Sequence, residues 1–244
     1  MVVFQKTTKN GCVIQIIVVS LQPESTIKGY YMEIKAILTG DIVNSEKIDI
    51  EQRDRLLQTI QDISNLQPWS PMSIDVYRGD SFQIVVEKPS MALLIATMSR
   101  AHLISHTPEN SPQLWDARIS VGIGSVSYTN DRVITSDGEA FRLSGRKLDQ
   151  IGKGRLAVAT IWEDVNQELN VGIPFVDNLL SGLTPMQAQL LYMSVAEQMP
   201  QTEIASKLGK LQQSVSKILG AAKENLLRPY LNRFETLISN HINP

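Results

Sequence analysis

Ile74-Asp75-Val76-Tyr77-Arg78-Gly79-Asp80-Ser81-Phe82-Gln83-Ile84-Val85-Val86-Glu87 is the stretch on which the fold turns. Ile74–Tyr77 and Phe82–Glu87 are rich in β-branched and aromatic residues and read as two strands. Arg78-Gly79-Asp80-Ser81 between them is a hairpin-type turn with its glycine. Before it, Ile34–Thr39 reads as a short apolar strand ending in the polar turn Gly40-Asp41-Ile42-Val43-Asn44-Ser45. Asp49 and Gln52 have capping-box spacing, and Leu56, Leu57, Ile60 and Ile63 recur at helical spacing. Trp69-Ser70-Pro71 ends that helix. After the hairpin, Ser90 is a cap candidate for a helix from Met91 to about Ser105. Arg118–Val126 is a strand, Asp131–Thr135 another, Gly138 to Gln150 a helix and Arg155–Ile161 a last strand.

This strand-helix-strand-strand-helix-strand order predicts an α+β fold of the ferredoxin-like or palm kind, an antiparallel sheet with helices on one face. In that topology Asp41, at the end of the first strand, and Asp80, in the hairpin, meet at one edge. Two converging carboxylates are what hard cations need to clamp a triphosphate. Either aspartate alone also suits a turn, where its side chain caps its own backbone.

The composition is that of a globular protein. The 244 residues are 43% apolar and 20% charged, which excludes a disordered chain. Cys12 is the single cysteine, and His102, His106 and His241 are the three histidines. A disulfide scaffold, a zinc finger and most histidine-based catalytic sites are thereby excluded, leaving Mg²⁺ or Mn²⁺ as the plausible metals. The net charge of −2 hides an asymmetry: residues 183–244 carry six Lys/Arg against four Asp/Glu.

The tail carries the most specific motif. Thr184 is a strong N-cap with Pro185 at the first helical position and Gln187 completing a capping box. Two further helices follow, Gln201–Leu208 and a second from about Leu211. Ala205 provides the small residue at their crossing, Gly209 the turn, and Ile204, Leu208, Val215 and Ile218 the packing. This is a helix-turn-helix. Gln212, Gln213, Ser214, Ser216 and Lys217 face outward on the second helix. Glutamine can read adenine edges, while serine and lysine suit phosphates, so double-stranded DNA is the expected partner. A small dimerising bundle is the competing reading, and Asn225–Ile238 is an amphipathic end helix suited to a homodimer seam or to the body.

Four motifs carry a family resemblance. Gly40–Ser45 resembles the first metal motif of class III nucleotidyl cyclases, and Arg78–Phe82 their Gly-Asp hairpin. Arg118-Ile119-Ser120-Val121-Gly122-Ile123-Gly124 is similar to their glycine-bearing strand, shared with diguanylate cyclases. Gly138–Arg146 is similar to the helix that carries a functional arginine. The match runs over residues 34–161, and the whole chain resembles SatD-type bacterial proteins, a palm-like domain joined to a helix-turn-helix. The resemblance implies metals held by Asp41, Asp80 and the Ile42 carbonyl. It implies a nucleotide near Asn44, Ser45, Arg142 and Arg146, with Arg146 as the catalytic group that stabilises the transferring phosphate. Arg142 stands where the family has asparagine.

The expected organisation is an extension at 1–31, a palm at 32–165, a linker at 166–182 and a helix-turn-helix at 183–244. Met32, directly before the first strand, reads as an alternative start. The run Val13–Val19 is too short to cross a bilayer and reads as a strand or an untranslated extension. The expected function is a cytoplasmic DNA-binding regulator with no membrane contact, whose palm binds a nucleoside triphosphate or another nucleotide. The alternatives are an active nucleotidyl cyclase or nucleotidyltransferase, and a palm serving only as a dimerisation scaffold.

Overall fold

The computed structural model describes residues 5–9, 12–16, 33–77, 79–127 and 137–243. The chain forms two units, Met1–Met32 and Glu33–Pro244. In the first, β1 (Gln5–Lys9) and β2 (Cys12–Ile16) pair antiparallel, with Gln5 opposite Ile16 and Lys9 opposite Cys12. The strand reading therefore holds for the first part of the apolar run. Residues 17–19 and the Met32 start lie outside the described residues, as does the strand expected at Asp131–Thr135.

The second unit begins with β3 (Glu33–Ile42), α1 (Ile50–Gln61), β4 (Met72–Tyr77), β5 (Ser81–Val86), α2 (Ala92–Ser105) and β6 (Ala117–Ser127). These pair in the order β4-β5-β3-β6, every neighbour antiparallel. That is the ferredoxin-like arrangement. There follow β7 (Asp137–Gly138), which pairs with the end of β6, α3 (Glu139–Gln150) and β8 (Leu156–Thr160). Neither proposed side-chain cap near the start forms. Asp49 precedes α1 without a side-chain cap bond, and Ser90 lies in a short 3₁₀ turn ahead of α2.

Two expectations about the sheet are corrected. It is mixed rather than antiparallel, because β8 pairs parallel with β6, Ile119 opposite Leu156 through Ile123 opposite Thr160. Its helices lie on both faces. Ala36, Leu38, Ile84, Ile119, Val121 and Ile123 belong to the main core with residues of α1 and α2. Ile37 and Val85, on the other face, cluster with Val126 and with Ala140 of α3. The reason is steric. Gly122 of β6 lets α3 approach so closely that an added Cβ would collide with the backbone at Ala140 and Ser144. The Thr39 and Ser144 hydroxyls meet there at 2.9 Å.

The remaining elements are helical: α4 (Glu163–Ser181), α5 (Pro185–Val195), α6 (Gln201–Lys207), α7 (Gln212–Ala221) and α8 (Glu224–Ile242). Residues 166–181 of the segment read as a linker at 166–182 thus belong to α4, and Gly182 caps it. Glycine and proline at 172 and 174 signal a break, but Val165, Leu169, Ile173, Val176 and Leu180 are buried, and that packing overrides propensity. The main core runs without interruption from Ala36 to Ile238, including residues of α4, α5 and α8. Helix α2 is buried along almost its whole length, as expected of a helix apolar on all sides.

One cation holds these parts together. Arg100 of α2 is fully buried. It donates from Nε and an Nη to the two Asp116 oxygens, both at 2.8 Å, and from the other Nη to Asp177 of α4 at 2.7 Å. Asp177 also accepts the Arg155 backbone N–H at 2.8 Å, and Asp116 accepts the Arg155 guanidinium at 2.8 Å. Burial disfavours the Arg100 charge, yet its two carboxylates outweigh that and push its pKa further up. Arg100→Met would leave buried Asp177 without its cation and Asp116 with Arg155 alone. The expected loss is about 3–5 kcal/mol of stability, read from urea unfolding; a loss under about 1 kcal/mol would show that the network does not hold the fold.

Candidate functional site

The end of β3 brings the two predicted aspartates together. Asp41 stands opposite Ser81 on β5 and opposite Arg118 on β6. The Ile42 N–H donates to the Asp80 carbonyl at 2.8 Å, which fastens the hairpin turn to the strand end. Ser45 donates its hydroxyl to one Asp80 carboxylate oxygen at 2.7 Å, and Ser81 donates to the other at 3.2 Å. Asn44 is exposed, in a left-handed conformation with φ of 51°, and its carbonyl accepts the Lys47 N–H at 2.9 Å. Its carbonyl also accepts from Gln113 at 2.8 Å. Asn44 thus shapes the turn, while Ser45 orients Asp80.

Sequence reasoning missed the partner of Asp41. Arg118 grips its carboxylate with two parallel bonds, Nε to Oδ1 at 2.8 Å and an Nη to Oδ2. The hydrogen bond to Asp41 is the main cause of an upward shift in the Arg118 pKa. Forked pairing of this kind is a strong form of charge-assisted bonding. A cleft of about 360 Å³ adjoins this pair, and Arg118, Lys153, Arg155 and Asn44 contribute to its wall. Lys153 is exposed in the loop between α3 and β8. Its signal was present in Gly152-Lys153-Gly154-Arg155, but the loop's place beside β3 depends on the parallel crossover.

Arg142 and Arg146 are both exposed on α3. Arg146 makes no hydrogen bond or ion pair with another described residue, so its guanidinium is available. Among the described residues no group of three or more His, Cys, Asp or Glu side chains gathers as a metal cluster. The Asp41–Asp80 edge offers two carboxylates.

In the tail, Thr184 and Gln187 form the expected capping box, with bonds of 2.9 and 3.3 Å. Gly209 turns the chain between α6 and α7 with φ of +61°, a conformation that glycine adopts without strain. Ile204, Ala205, Val215 and Leu219 pack with Leu190 and Met193 of α5, flanked by Leu208 and Ile218. Gln212, Gln213, Ser214, Ser216 and Lys217 are all exposed. Lys207 is held 3.8 Å from Glu197.

No protein-family model matches the chain, and no curated protein matches it. The SatD-type resemblance therefore stands on the sequence motifs alone. Solved structures do match. The active GGEEF domain of a diguanylate cyclase from Vibrio cholerae is 16% identical with a TM-score of 0.39, over 54% of this chain and 85% of that one. A bacterial light-regulated adenylyl cyclase is 17% identical with a TM-score of 0.38, over 51% and 74%. A further structure of a bacterial light-regulated adenylyl cyclase is 15% identical with a TM-score of 0.39, over 52% and 42%. These likenesses are too loose to carry an argument about function. Among the described residues, no helix is long and apolar enough to cross a membrane.

Proposed function

We propose that this protein binds a nucleoside triphosphate with Mg²⁺ or Mn²⁺ at the Asp41–Asp80 edge of its sheet, in the manner of a nucleotidyl cyclase. The observation that supports this is the pairing that sets Asp41 opposite Ser81 and joins Ile42 to Asp80 through the backbone. The donor set fits a hard divalent cation: two carboxylates and the adjoining Ile42 carbonyl, all oxygen. When bound, such a cation supplies charge neutralisation for phosphate oxygens.

The chain's own groups do the rest. Arg118 pairs with Asp41, and its forked donors also suit a phosphate oxygen. Lys153, exposed beside the same cleft, adds a second positive charge. Ser45 keeps the Asp80 carboxylate oriented through the 2.7 Å bond. Arg142 and Arg146 lie on the helix that crosses the same sheet face, and Arg146 provides a forked donor for the transferring phosphate. In turnover, a hydroxyl oxygen attacks the α-phosphorus and gives its proton to solvent, the bond from the α-phosphorus to the bridging oxygen breaks, and pyrophosphate leaves.

A second reading has its own support in the outward row of α7. With Gln212, Gln213, Ser214, Ser216 and Lys217 all exposed, the tail can lie against double-stranded DNA as a helix-turn-helix, making the protein a nucleotide-responsive regulator. Helix α2 gives it a route for coupling, because α2 packs in one core with both the sheet and α5.

A thermal-shift panel of four nucleoside triphosphates, with and without Mg²⁺, tests the first reading. Nucleotide at about 100 times its dissociation constant adds about 2.7 kcal/mol, a rise of roughly 5–10 °C for a chain of this size. The rise is expected to need Mg²⁺ and to vanish in Asp41→Asn and Asp80→Asn. A shift that survives in both variants, or none with any nucleotide, overturns it and leaves the dimerisation scaffold. Release of pyrophosphate from the bound nucleotide would mark turnover.

Arg118→Gln is expected to tighten Mg²⁺ binding by removing the competing cation, as read by calorimetry. Unchanged or weaker Mg²⁺ binding would contradict that competition. For the tail, DNA affinity is expected to fall steeply with salt, and Lys217→Ala to lower that slope by about one. Salt-insensitive binding, or no binding, would refute a DNA contact.

A further inference from the structure

Among the described residues, a cavity larger than the cleft beside Asp41 and Arg118 lies elsewhere in the folded unit. It measures about 960 Å³ and lies where α1, α2 and the chain around Trp69 face α5 and α6. Its wall includes Trp69, His102, His106 and Tyr192, with Arg55 and Lys207 as its cations. The volume is within the range of small-molecule sites, roughly 300–1,000 Å³. Aromatic walls with a few polar groups are the usual lining of such sites.

His102 is what sets this cavity apart. It is 6% exposed, and neither ring nitrogen has a hydrogen-bond partner. Buried polar atoms are nearly always paired, and leaving one unpaired costs about 1–3 kcal/mol. Burial, aided by His106 and opposed by Asp62, pulls the His102 pKa down to about 4. The ring is therefore neutral at physiological pH, one nitrogen a donor and the other an acceptor. Two further rings lie against it, His106 with its centroid at 4.2 Å and Tyr192 at 5.0 Å. Burial pushes the Tyr192 phenol up to about 12, which keeps it protonated. The Trp69 indole is fixed by donating to the Ala196 carbonyl at 2.9 Å. The charged groups are exposed: Arg55, and Lys207 near Glu197.

We propose that this cavity is a binding site for a small planar heteroaromatic molecule that carries an anionic group. The ring lies among Trp69, His106 and Tyr192, a turn of the His102 imidazole brings its covered, unpartnered nitrogens to the ligand's donor and acceptor edge, and the anion takes Arg55 and Lys207. The proposal does not depend on nucleotide binding at Asp41 and Asp80, since the cavity has its own residues. It has a consequence for the tail. Lys207 and Leu208, at the end of α6, form part of the wall, so an occupied cavity restrains the α6–α7 pair against α2.

The test uses the full chain in EDTA, which silences any metal-dependent site. AMP and indole-3-carboxylate are titrated separately, followed by calorimetry. They represent the two sources of this chemistry, a nucleotide and an aromatic acid. Saturable binding of either is expected, and the arm that binds identifies the source. Arg55→Ala and Lys207→Ala should each weaken it about tenfold, the size of one charge-assisted bond, while Asp41→Asn leaves it unchanged. His102→Leu should abolish it. Because a buried substitution can unfold the chain, the two exposed cation variants decide the outcome by themselves. No saturable binding of either probe, or binding indifferent to both cation variants, overturns the proposal.

Discussion

The fold depends on a buried charge. Arg100 is fully buried, and its guanidinium is satisfied by Asp116 and Asp177. An unpaired cation in that position is untenable, so any arrangement that buries α2 must bring both carboxylates to it. Asp116 immediately precedes β6, Asp177 lies on α4, and Arg155, which joins the same network, leads into β8. One side chain thus fixes the central helix against the sheet and against the helix that leads to the tail. It joins the sheet to a C-terminal helix within the unit Glu33–Pro244.

That arrangement gives the aspartate edge its character. Val43, two residues beyond Asp41, donates its N–H to the Asp116 carbonyl at 2.9 Å, so the end of β3 is tied to the start of β6 beside the network. Arg118 follows Asp116 by two residues and therefore falls directly across from Asp41. The edge is acidic by sequence but already neutralised by a neighbour in the fold. Arg118 and Asp41 each spend their charge on the other.

The cavity at His102 occupies the opposite side of the same helix-to-tail joint. Arg100 and His102 are two residues apart on α2, one fully satisfied and the other without partners. The first fastens α2 to β6 and α4. The second faces α5 and α6, where the contact is an open, ring-lined space. The unit is therefore rigidly joined at one place and hollow at another, and the hollow lies next to the helices that present Gln212 to Lys217.

The sequence by itself determined the elements from β3 to β6 and their order. Alternation, capping residues and turn glycines are local signals, so β3 to β6, the hairpin at Gly79-Asp80, the Thr184 cap and the Gly209 turn were legible. With the order known, topology alone placed Asp41 near Asp80. The tertiary structure decided everything that depends on distant partners. The face taken by α3 follows from its close approach at Gly122, and the sheet becomes mixed through the crossover to β8. Glycine and proline in 166–182 predicted a break, but long-range burial of one helix face made it α4. Arg118 opposite Asp41 is a matter of register, and Arg100 in the core is a matter of two carboxylates 16 and 77 residues away. His102 was read as one of too few histidines for chemistry, and its isolation became visible only in a folded interior. Local propensity is written residue by residue, whereas register and charge burial are properties of chain segments that meet only after folding.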